Sequence, residues 1–146
     1  MKKFTFEELS KEDQLLLLEA EKALENAYCP YSNFKVGAAF LTKQDEVITG
    51  ANLENASYGG AICAERAALA AANVKGIRQF KALAVIGTSD HAKSESVIAP
   101  CGICRQLISE AAQLSNTNIK IVMSNSDKSE IIISSIEELL PLSFGP

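Results

Sequence analysis

The sequence has no tryptophan, one histidine, no internal repeat and no low-complexity segment or linker. The lone histidine, His91, has no partner at metal-ligand spacing and reads as a solvated loop residue. Nowhere does an apolar run approach the roughly 20 residues that a membrane-spanning helix needs. The opening "MKKFTFEELSKED" turns acidic before any apolar core, so it does not read as a secretory signal. No membrane partner is expected, and the expected location is the cytoplasm. Positive charge is short as well: 14 Lys and Arg stand against 18 Asp and Glu, for a net charge of −4. A nucleic-acid polymer is therefore not the expected partner, and a small molecule is.

What the chain does have is apolar content. Hydrophobic residues make up 47% of 146 positions, enough for a core that needs no metal or disulfide staple. One domain spanning 1–146 is the expectation. The four cysteines, Cys29, Cys63, Cys101 and Cys104, have little use as a disulfide framework in such a chain. Metal ligands, catalytic groups or buried small hydrophobes are the remaining roles. Cys29, with no other cysteine near it, reads as a packed thiol.

Local signals set out the elements. Ser10 and Asp13 start a helix whose inner face runs through Leu17, Ala20, Leu24, Ala27 and Tyr28 and which stops before Pro30. "FKVGAAFLT" and "EVITGANLE" read as strands joined by the turn "KQDE". "AICAERAALAAANVKG" is an alanine-rich helix closed by Gly76, and "FKALAVIGTS" a buried strand. "CGICRQLISEAAQL" is a helix opened by Pro100, and "NIKIVMSN" and "EIIISS" are two more strands. Ser135 and Glu138 box a last short helix that Pro141 ends. The order predicts an α/β layered domain of about five strands, with helices on both faces.

Cys101-x-x-Cys104 puts two thiols on one face of a helix start, since positions three apart are neighbours there. Cys63 opens the preceding helix, so the two helices can bring three sulfurs together. A structural zinc site is closed by four protein ligands, whereas a catalytic one keeps a position for water. The absence of a fourth ligand favours the second. Glu65 then has work to do as a general acid/base beside a metal-activated water. Three thiolates leave Zn²⁺ at net −1, a charge that the two helix dipoles and Arg66 would partly offset. Taken alone, Glu65 and Arg66 would decorate a helix's first turn; beside three ligand-spaced cysteines they read as functional.

The strings "AYCPYSNFKVGAAF", "GANLENASY", "CAERAAL", "PCGICRQ" and "ELLPLSFGP", in this order and spacing, resemble the small zinc-dependent cytidine deaminases. That resemblance implies a three-layer αβα sandwich with a mixed sheet. It implies one Zn²⁺ per subunit on Cys63, Cys101 and Cys104, with Glu65 as proton shuttle and Arg66 partly neutralising the thiolates. It implies that Asn52 and Glu54 bind the ribose 3′-hydroxyl, that Phe34 packs on the nucleoside and that the backbone around Ala64 holds the pyrimidine. Ala56, Tyr58 and Phe144 then correspond to residues that reach a neighbouring subunit's site in a homotetramer with shared active sites. The implied reaction is hydrolytic deamination of cytidine and deoxycytidine in pyrimidine salvage. Two rivals remain from the residues themselves: deamination of a cytosine nucleoside antibiotic, and a structural zinc module in which Glu65 is dispensable. A thiol redox protein would need neither Cys63 nor Glu65.

Overall fold

The computed structural model describes residues 1–89 and 96–146. His91 lies outside the described residues. In chain order the elements are β1 (Lys2–Phe4), α1 (Lys11–Leu24), β2 (Phe34–Thr42), β3 (Val47–Ala51), α2 (Ala64–Val74) and β4 (Phe80–Ser89). They continue as α3 (Gly102–Ser115), β5 (Lys120–Ser124), β6 (Ile131–Ser135) and α4 (Ile136–Leu139).

The strands form one mixed sheet of order β1-β6-β5-β4-β2-β3, in which only β4 and β5 pair in parallel. Strict alternation along the strands decides which face each side chain meets. Ala38, Phe40, Leu83, Val85, Ile121 and Met123 pack under α2, α3 and α4. Their neighbours Ala39, Leu41, Ala82, Ala84, Ile86 and Val122 meet Leu16, Leu17, Ala20 and Leu24 of α1 on the other face. The expected three layers are thus present. No described helix is long and apolar enough to cross a membrane.

Two expectations need correction. Among the described residues the sheet has six strands where about five were expected, because Lys2–Phe4 adds an edge strand against β6. Three residues are too few to show a period, and this strand exists only through its partner. The first helix ends at Leu24, short of Ala27 and Tyr28. The Tyr28 N–H instead donates to Asn52 O at 3.0 Å, and its carbonyl accepts from the Glu54 N–H at 2.8 Å. Backbone pairing with the segment after β3 outcompetes another helical turn.

The sheet's topology assembles the site. Both β3 and β4 run antiparallel to β2, so β3-α2-β4 is a crossover between strands of one direction. β4-α3-β5 is another, and both step the same way across the sheet. Crossovers of this type share one hand, so α2 and α3 fall on one face with both N-termini at one edge. Gly50 lets α2 approach: a Cβ there would lie 2.4 Å from both Ala64 O and Ala68 N. Gly50→Ala should therefore lower stability by about 1–3 kcal/mol, the usual cost of overpacking, and displace the helix start that carries Cys63 and Glu65. Thermal unfolding beside steady-state kinetics would check this; an unchanged Tm would mean that α2 lifts off the sheet freely.

Candidate active site

Cys63 is the N-cap of α2 and Cys101 the N-cap of α3, both in extended backbone and neither making a side-chain capping bond. Their sulfurs are therefore not committed to the helix ends. Cys63 Sγ and Cys101 Sγ lie 3.8 Å apart. Together with Cys104 Sγ they form a group whose ligand atoms all fall within 4.8 Å of one another. A tetrahedral zinc site with Zn–S bonds of about 2.3 Å has edges of about 3.8 Å. The thiol spacing thus fits zinc, with Cys104 fully buried beneath and Cys101 exposed at the rim.

The thiols already act on one another. The Cys63 thiol is lowered to about 6, first by its hydrogen bond with Cys104, then by Cys101 and the Arg66 charge. Cys104 is pushed strongly upward by the same bond to Cys63 and by burial. Such a set holds negative charge ready at the helix starts, where both dipoles favour it.

Glu65, in the first turn of α2, is only 3% exposed. Burial raises its carboxyl above the ordinary range and the Cys63 charge adds to that, while its own backbone N–H and Cys104 pull the other way. A carboxyl so raised holds a proton more readily than an exposed one, as a general acid/base requires. Cys63, Ala64, Glu65 and Cys101 line one cavity of about 250 Å³, together with Asn52 and Glu54. The Phe34 ring lies against Gly87, as does Ile98, and Ile98 is a wall of the cavity.

Asn52 carries a second duty absent from its sequence reading. Its Oδ1 accepts from the Val36 N–H at 2.9 Å, and its Nδ2 donates to Phe34 O at 2.8 Å. Beyond Ala51, where β3 leaves β2, this amide continues the pairing and keeps one N–H for a ligand. Glu54 is held by two backbone donors: its Oε1 accepts from the N–H groups of Tyr31 and Ser32, at 3.0 and 3.1 Å. A second cavity of about 320 Å³ shares Glu54 and Ala61 with the first and is lined by Tyr31 and Tyr58. Those two rings meet edge to face at 6.1 Å.

Three expected residues stand apart from the thiol group. Tyr58 is 79% exposed, Phe144 is 84% exposed and Ala56 is exposed. The Phe144 carbonyl accepts from Gln106 Nε2 at 2.9 Å, which ties the C-terminal segment to α3. Cys29 is buried, in keeping with a packed thiol. Sequence reasoning passed over Arg105, whose Nε donates to Pro100 O at 2.8 Å and whose Nη1 donates to Leu139 O at 3.1 Å. It clamps the turn before Cys101 to the end of α4. Its place directly after the C-x-x-C pair was the available signal.

A layered α/β sheet, three zinc-spaced thiols at two helix starts and a buried carboxyl facing a cavity define a metal-dependent hydrolytic enzyme. Residues 10–120 match the family model for the cytidine and deoxycytidylate deaminase zinc-binding region. The chain belongs to that family. A cytidine deaminase of Halalkalibacterium halodurans is 46% identical over 133 residues, covering 90% of this chain and 92% of the relative. One from Sporosarcina psychrophila is 41% identical over 130 residues, 89% of each. The crystal structure of a cytidine deaminase from Burkholderia pseudomallei superposes with a TM-score of 0.79 at 40% identity, covering 93% of this chain and all of that one.

Proposed function

We propose that the chain hydrolyses cytidine and deoxycytidine to uridine and deoxyuridine with release of ammonia, as one deaminase domain holding one zinc ion on Cys63, Cys101 and Cys104. One observation carries this reading: zinc-spaced thiols and a buried Glu65, its carboxyl raised by burial, face the same cavity as Asn52 and Glu54.

When bound, the zinc ion acts as a Lewis acid that makes water nucleophilic at neutral pH. The chain's own groups do the rest. Glu54 and the remaining Nδ2–H of Asn52 bind the ribose 3′-hydroxyl, the carboxylate accepting and the amide donating. Phe34 packs against the nucleoside and the backbone at Ala64 holds the pyrimidine edge. Glu65 takes a proton from the attacking water and delivers it to ring N3, then takes the second from the C4 hydroxyl of the adduct and passes it to the departing amine. The water oxygen bonds to C4, the C4–N bond breaks with its electron pair on nitrogen, and ammonia leaves a C4 carbonyl. Arg66 and the two helix N-termini offset the excess negative charge of three thiolates.

The same reading takes the assembly to be a homotetramer with shared sites, working in cytoplasmic pyrimidine salvage. The exposure of Tyr58 and Phe144 supports it, since two large aromatics left bare by their own chain suit burial against a neighbour. Loss of the cytosine ultraviolet band on adding purified protein to cytidine or deoxycytidine tests the activity, and light scattering tests for a mass of four chains. A zinc-loaded protein that leaves both nucleosides unchanged would overturn the assignment.

A further inference from the structure

The carboxylate of Glu54 and the aromatic ring of Phe34 come from different strands and loops, yet one small residue touches both supports. The turn from Cys29 to Asn33 is closed by the Asn33 N–H donating to Cys29 O at 2.9 Å, with Asn33 in the left-handed region at φ 55°. That turn aims the Ser32 N–H at Glu54 Oε1, at 3.1 Å. The Ser32 hydroxyl oxygen in turn accepts from the Phe34 N–H at 3.1 Å, where β2 begins. We propose that Ser32 is a positioning residue for sugar recognition, setting the Glu54 carboxylate and the Phe34 ring in one register so that the 3′-hydroxyl meets a fixed acceptor.

Ser32 is exposed and sits in no hydrophobic cluster, so packing does not account for it. The Ser32 hydroxyl is also the largest cause holding the Glu54 carboxyl below its ordinary range, ahead of the backbone donors at Ser32 and Tyr31. An alanine at 32 keeps the backbone N–H donor but removes the acceptor for the Phe34 N–H, and with it the bond that holds the turn aiming the Ser32 N–H at Glu54. A neutral hydrogen bond of this kind contributes about 0.5–1.5 kcal/mol, about tenfold at its upper end.

The inference rests on the reading of Glu54 as the ribose acceptor, and a substrate cycle separates the two. Steady-state kinetics of the zinc-loaded protein would be measured with cytidine and with 3′-deoxycytidine, for wild type, Ser32→Ala, Ser32→Thr and Glu54→Ala. Ser32→Ala should lower kcat/KM for cytidine about tenfold and for 3′-deoxycytidine less than about twofold, because the second substrate has no hydroxyl to misplace. Ser32→Thr, which keeps the hydroxyl, should restore most of the loss. An equal fall on both substrates would mean that Ser32 only shapes the turn, and the proposal would be wrong. If Glu54→Ala also fails to discriminate the two substrates, the ribose reading itself falls. If Glu54→Ala discriminates and Ser32→Ala does not, Ser32 alone is excluded.

Discussion

Glu65→Gln should leave a folded, zinc-loaded protein whose kcat is lower by about 10³- to 10⁴-fold. General acid/base catalysis by one positioned side chain is typically worth about 10²- to 10⁴-fold, and in the proposed mechanism Glu65 serves at more than one proton transfer. Glutamine preserves the shape but cannot carry the proton. Because the carboxyl is 3% exposed and its charged form is disfavoured by burial, the neutral amide should not lower the thermal midpoint. The result to look for is a large loss of turnover at full zinc occupancy, with Tm unchanged or raised. Turnover within threefold of wild type would sink the shuttle and reopen the non-catalytic reading of the thiol group.

Stripping the metal should have the larger effect on activity and a limited one on the fold. A strong chelator, or Cys104→Ser, should abolish turnover below detection while the circular dichroism of the sheet and helices persists. The two apolar clusters on either face of the sheet hold together through Phe40, Leu83, Ile121, Leu17 and Ala84, far from dependent on an ion. Cys104 is the one ligand fully inside a core cluster. Zinc binds only the folded arrangement of ligands, so its loss should still lower Tm by mass action. Adding zinc back to the chelated wild type should restore activity, and Cys104→Ser should not recover. Unfolding on chelation would identify a structural zinc module, and activity in metal-free protein would exclude the zinc reading altogether.

Much of the fold was legible because its rules are local. The strings "FKVGAAFLT" and "FKALAVIGTS" read as strands, and β2 and β4 occupy those very spans. The Ser10 cap and the Ser135–Glu138 box formed as expected. Where the local signal was thin it misled. Lys2–Phe4 was invisible as a strand, and helical spacing carried the first helix too far, to Tyr28. Both errors lie where a distant partner, Ile132 or Asn52, takes the backbone hydrogen bonds.

The chemistry was divided in the same way. Cysteine spacing, a carboxylate two residues after Cys63 and the run of family strings determined by themselves which residue types belong together, because each string is contiguous. That Cys63 and Cys101 stand 3.8 Å apart, 38 positions removed in the chain, was decided by two crossovers of one hand on one sheet face. That Asn52 gives most of its amide to β2, that Arg105 clamps Pro100 to Leu139, and that Ser32 joins Glu54 to Phe34 were likewise tertiary decisions. Residue chemistry and periodicity travel along the chain and can be read there. The partner of a hydrogen bond is chosen by what the folded sheet brings within 3 Å or so, and no local pattern contains that choice.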